Sequence, residues 1–191
     1  MDVKPLATTR SATGIPTGRL SIWWLMASEI VIFGGVLASY LMHRLGHSEF
    51  GDYASHTNVW AGGFNTFVLL TSSLFAVLAH QAAEKGDGKK AARLLWLTIA
   101  GGGIFLIVKS CEWTYEISHG YTLQSNAFWS FYYVAAGLHA AHVIAGMIAM
   151  GIVARQASRN EELHRVELAG IYWHFVDVVW IFLFPLLYIA K

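Results

Sequence analysis

Charge is what this sequence has least of. Asp, Glu, Lys and Arg make up 13% of its 191 residues, while 55% are hydrophobic. Soluble domains run at about 25% charged and about 45–50% apolar. The composition therefore excludes an ordinary soluble domain and places the chain in the membrane class. Cysteine is nearly absent. Cys111 alone supports neither a disulfide scaffold nor a multi-cysteine zinc site. The net charge is +1, and no basic tract interleaved with aromatics occurs, so nothing suggests a nucleic-acid partner. Internal repeats and low-complexity segments are missing too. Residues 1–19 are polar and read as a cytoplasmic arm. The first apolar run after them is too long for a cleavable signal and reads as a retained helix.

Spanning the hydrocarbon layer takes about 20 mostly apolar residues. Five stretches qualify: 20–42, 59–83, 92–115, 127–153 and 168–190. The expected fold is all-α, an integral membrane bundle of five transmembrane helices over 20–191. The links between them are short and polar, leaving no room for a further domain. Cytoplasmic loops are enriched in Lys and Arg. Ten of the 13 basic residues fall on one side: Lys4, Arg10, Arg19, Lys85, Lys89, Lys90, Arg93, Arg155, Arg159 and Arg165. Arg44, Lys109 and Lys191 fall on the other. This predicts a cytoplasmic N-terminus and a periplasmic C-terminus.

Aromatic residues gather near the predicted helix ends, as an interfacial belt would require. For Trp129 and Trp173, packing between helices is the equal alternative. Gly34, Gly35, Gly62, Gly63 and Gly101–Gly103 lie inside spans, and Gly137, Ala141, Ala145 and Ala149 recur every four residues. Small residues so spaced let helix backbones approach closely. Pro185 lacks a backbone donor and should bend the end of the last span.

Glu29 lies inside SIWWLMASEIVIFGGVLASYL. A carboxylate at mid-bilayer costs about 2.5–3.5 kcal/mol on insertion scales, which makes it a functional-site candidate with a partner to be found. At 1.5 Å per residue Glu29 and Asp177 both lie about 13 Å from the cytoplasmic face, and His142 roughly 16 Å. By the same rise His139 is about 21 Å and His174 about 9 Å in. Glu29 is expected to pair with His142 or His139, which are i, i+3 neighbours. His174 and Asp177 share that spacing, which suggests a self-contained hydrogen bond. Lys109 and Glu112 read as an ion pair at the outer end of the third helix, with Lys109 snorkelling to the interface. The intramembrane group has two readings: structural pairs that hold the bundle, or a proton-handling cluster. Haem ligation by His80, His139, His142 and His174 finds no two histidines at matching depth on facing helices. HxxH at 139–142 lacks a third metal ligand.

Five segments, taken in order, resemble subunit III of the haem–copper terminal oxidases. They are WWLMASEIVIFGGVLASY, FNTFVLLTSSLFAVLAH, SCEWTYEISHG, FYYVAAGLHAAHVIAGMIAM and IYWHFVDVVWIFLFPLLY. The resemblance covers nearly all of the chain beyond the arm and has the five-helix bacterial form; many members have seven helices. It implies a non-catalytic subunit of the bacterial cytoplasmic membrane. Such a subunit holds no haem or copper itself, binds and stabilises the catalytic subunit I and supports its proton uptake. Phospholipid in a cleft is implied as well, the seven-helix members forming that cleft with two N-terminal helices that have no counterpart among these five. The family's buried glutamate maps onto Glu29, its histidine partner onto the fourth helix, and a glutamate at the outer end of the third helix onto Glu112. Two other functions stay open: an accessory subunit of a nitric oxide reductase, and a stand-alone proton carrier. The electron donor, cytochrome c or quinol, is not written in this chain.

Overall fold

Short polar side chains start the helices. In the computed structural model, which describes residues 17–47 and 49–190, Asn58, Asp87 and Asn126 accept hydrogen bonds from the free N–H groups of the turns that follow them. Such capping is worth about 1 kcal/mol at each start. The helices are α1 (Thr17–Gly46), α2 (Phe50–Ala54), α3 (Val59–Glu84), α4 (Gly88–Ser118), α5 (Ala127–Ala157) and α6 (His164–Phe184). Gly86 and Gly120, at φ 76° and 86°, supply the left-handed residues just after α3 and α4. Five of the elements are long and apolar enough to cross a membrane, the last extending to Ile189. They exceed the expected spans by several residues at most ends, because hydropathy marks the hydrocarbon layer while caps mark the helix. Lys4, Arg10, Lys191 and nearly all of the arm lie outside the described residues, and α1 already includes residues 17–19.

The link after α1 was expected to be plain polar chain. It contains α2 instead, whose Phe50 and Ala54 are i, i+4 neighbours and are buried on the bundle end. At the other end of the chain α6 does not simply bend at Pro185. It widens into a π-helical turn, Pro185–Ile189, closed by Ala190 N–H donating to the Pro185 carbonyl at 2.8 Å. The ring removes one donor, and the wider turn restores a bond five residues on.

Helices α3, α4, α5 and α6 form a closed four-helix core, and α1 lies outside it against α5 and α6. Trp173 of α6 is the centre of the core and has no solvent exposure. Its indole N–H donates to Ser72 Oγ of α3 at 3.0 Å. Its ring lies against Gly102 of α4 and Gly146 of α5, where an added Cβ would sit 2.7 and 2.9 Å from ring carbons. One side chain thus touches all three other core helices. Trp129 is likewise fully buried, so both residues with two open readings pack between helices, whereas Trp23, Trp24 and Trp60 face outward.

α1 uses one narrow stripe. Ile22, Met26, Glu29, Phe33, Val36 and Tyr40 turn inward at alternating spacings of four and three. Such a seam matches two-helix packing at a shallow angle. Among the described residues only Phe33 and Tyr40 of α1 are buried.

Gly102→Ala should lower stability by about 1–3 kcal/mol, because a buried, hydrogen-bonded indole cannot yield. Gly103→Ala, whose methyl would meet only the Met147 methyl at 3.9 Å, should be neutral. Thermal unfolding in detergent checks this; equal losses would show that Trp173 is not the wedge.

Candidate functional site

Two polar centres lie inside the bundle. The first joins α1 to α5. His142 Nε2 lies 2.9 Å from Glu29 Oε2, and its Nδ1 lies 2.8 Å from the Leu138 carbonyl one turn back on α5. The two side chains are 16% and 13% exposed. Phe33, one turn along α1 from Glu29, packs its edge against the imidazole at 5.1 Å. A carbonyl only accepts, so Nδ1 carries a hydrogen. The Nε2–Oε2 contact then contains one shared proton: an imidazolium donates to a carboxylate, or a carboxylic acid donates to a neutral ring. Either way the pair is a site where one proton can change owner without a change of heavy-atom geometry. Of the two histidines expected to meet Glu29, the structure brings only His142 to it.

His139 is one turn away and completely buried. Neither ring nitrogen has a hydrogen-bond partner. The ring is stacked on Trp180 at 5.2 Å and meets Phe105 edge-on at 5.4 Å, so it behaves as an aromatic core residue. The expected pair within α6 does not form. His174 Nδ1 lies 2.5 Å from Ser73 Oγ of α3. Asp177 is buried beside the same serine, yet neither carboxyl oxygen makes a hydrogen bond of acceptable geometry. His80 lies 3.5 Å from Glu84 near the far end of α3. Among the described residues no three His, Cys, Asp or Glu side chains gather where a metal ion would be held.

The second centre surrounds Lys109, and here the snorkelling expectation is corrected. Lys109 is 1% exposed. Its ammonium donates to Glu112 Oε2 at 3.0 Å, to the Tyr132 hydroxyl at 2.7 Å and to the Tyr188 hydroxyl. The Tyr132 ring centroid is 4.4 Å away and that of Tyr188 5.0 Å, both within cation–π range. A buried ammonium costs several kcal/mol unless it is paired and hydrogen-bonded. Glu112 and two tyrosine hydroxyls meet that requirement inside the bundle, so the chain has no reason to reach for water. Glu116 was not singled out from sequence, and Tyr132, Tyr133 and Tyr188 were read only as aromatics of the interfacial belt. The signal was present for Glu116: Lys109, Glu112 and Glu116 fall at i, i+3 and i+7, one face of a helix. Residue 116 lay just past the predicted end of its span and was read as link.

α1 holds the core through polar contacts at three levels. Arg19 meets Glu167 at 2.6 Å, Glu29 meets His142, and the Tyr40 hydroxyl donates to the Leu186 carbonyl at 2.8 Å. Two apolar grooves flank its seam. One, about 570 Å³, is lined by Gly35, Ser39, Ser130 and Val134; the other, about 550 Å³, by Leu25, Ala145, Ala149 and Arg165.

The comparisons with known proteins point to one family. A family model described as cytochrome c oxidase subunit III matches residues 12–191. Similar proteins include cytochrome c oxidase subunit 3 of Corynebacterium diphtheriae, 35% identical over 87% of this chain and 84% of that one. The subunit 3 of Thermostichus vulcanus is 34% identical over 89% and 86% of the two chains. That of Bacillus sp. strain PS3 is 31% identical over 97% and 92%. The match runs along nearly the whole of the multi-pass bundle, and the chain belongs to the cytochrome c oxidase subunit III family.

Proposed function

We propose that this protein is the non-catalytic subunit III of a bacterial haem–copper terminal oxidase, stabilising the catalytic subunit I and supporting its proton uptake during oxygen reduction. In this reading the haem and copper belong to the partner subunits. The chain lies in the cytoplasmic membrane with its N-terminus inside, following the basic residues at the ends of α3 and α5.

The observation that carries the reading is the way α1 is held. Its inner stripe is fixed to the core by Glu29 and His142, while its outer face is left free. Gly34 and Gly35 have no atom within 4 Å of where a Cβ would stand. Ala141, Ala145 and Ala149 of α5 are also exposed. In lipid, small exposed residues favour a close-approaching helix over acyl chains, because contact area rather than hydrophobicity drives association. The faces of α1 and α5 are therefore the surface assigned to subunit I. The proton shared by Glu29 and His142 sits just beneath this surface, where docking can bias which atom carries it.

Purification of a tagged chain in mild detergent should bring down the other oxidase subunits, with a haem a or haem o spectrum. A haem b reductase that turns over nitric oxide would favour the reductase accessory, and a lone colourless protein with transport activity the carrier. Glu29→Ala should speed loss of the chain from the complex about tenfold, since a stranded, largely desolvated partner costs about 1–3 kcal/mol. Glu29→Gln keeps a donor for His142 Nε2 and should stay within about threefold of the parent by the same scale. Equal retention of all three chains in a dilution time course would sink the assignment of Glu29.

A further inference from the structure

We infer that the Lys109 centre holds one proton more than its lysine brings, carried by Glu116 as a carboxylic acid. Two independent counts lead there. The first is charge. One ammonium and two carboxylates leave a net −1 in a site where Lys109, Glu112, Glu116, Tyr132 and Tyr188 are all buried. An uncompensated charge is strongly disfavoured away from water.

The second is hydrogens. Lys109 has three, given to Glu112 Oε2, Tyr132 and Tyr188. Tyr188 gives its one to Glu112 Oε2 at 3.1 Å. Tyr133 gives its one to the Tyr121 carbonyl at 2.7 Å and lies 3.5 Å from Glu116 Oε2. Tyr188 is committed to Glu112, so its 3.2 Å approach to the Tyr132 hydroxyl adds no donor, and the single hydrogen of Tyr132 faces both Glu112 Oε1 at 3.1 Å and Glu116 Oε1 at 2.9 Å. Two acceptors compete for one donor. A hydrogen on Glu116 Oε1, donated to the Tyr132 oxygen, frees the tyrosine hydrogen for Glu112. Tyr132 then accepts twice, from Lys109 and Glu116, and donates once, which is its full capacity. The same proton that balances the charge completes the network. Glu112 is the poorer carrier because the ammonium lies against it.

A pocket of about 260 Å³ is lined by both carboxylates together with His56, Asn58 and Cys111. It opens at the bundle end that bears α2, away from the predicted cytoplasmic face. This centre is separate from Glu29 and His142, and the inference stands whatever the partner of α1.

Glu116→Gln is neutral and keeps a donor for Tyr132; Glu116→Ala keeps neither shape nor donor. In the full chain, extracted with the subunits that accompany it, Glu116→Gln should keep a thermal half-life within about twofold of the parent. Glu116→Ala should shorten it about tenfold, the scale of one buried hydrogen bond. The infrared difference between parent and Glu116→Gln should contain a carboxylic-acid band that moves in heavy water. A Glu116→Gln chain as short-lived as Glu116→Ala, or a difference spectrum with carboxylate bands only, would overturn the inference.

Discussion

Everything in the bundle is placed relative to Trp173. Its ring fits only because Gly102 and Gly146 bring no side chain, and its N–H is satisfied only because Ser72 lies opposite. In a bilayer the apolar faces of helices gain little from leaving lipid, so close packing and buried hydrogen bonds must hold them together. Trp173 does both at once. The wedge also fixes the rotation of α5: with Gly146 held against Trp173, His142 one turn away looks out of the core toward α1. The direction in which the histidine offers Nε2 is thus a consequence of a glycine that has no chemistry of its own.

α1 shows what that direction is for. Its seam is short of contacts, and an apolar side chain at 29 would fill the stripe without specifying a register. A carboxyl group there is satisfied only when α1 sits at one height and one rotation. The insertion cost of about 2.5–3.5 kcal/mol is offset in the bundle by a bond that the misaligned helix lacks. Arg19 with Glu167 and Tyr40 with the Leu186 carbonyl repeat the logic near the two ends. The helix is positioned by points rather than by area, as suits a helix whose other face is free for a neighbour.

The spans were legible because 20-residue apolar runs have few other uses. Glu29 and His142 were legible because titratable groups at similar depth in separate helices have little but each other. Depth, however, says nothing of rotation. His139, three residues from His142, points into a cage of Phe105 and Trp180, and no count along the chain tells the two apart. His174 found Ser73, a residue that hydropathy passes over, so the expected bond to Asp177 did not form. Lys109 misled for a different reason. A lysine near a helix end usually reaches water, and what keeps this one inside are tyrosines from α5 and from a π turn that a proline pattern announces only as a bend.

That π turn is where the Lys109 centre meets α1. Tyr188 bonds the Lys109 ammonium on one side, and on the other the Leu186 carbonyl accepts the Tyr40 hydroxyl of α1. In an ordinary α-helix Leu186 O would be committed to an N–H four residues on. The wider turn follows from Pro185, and the carbonyl it offers lets the last helix hold both the buried charge cluster and the peripheral helix with five residues.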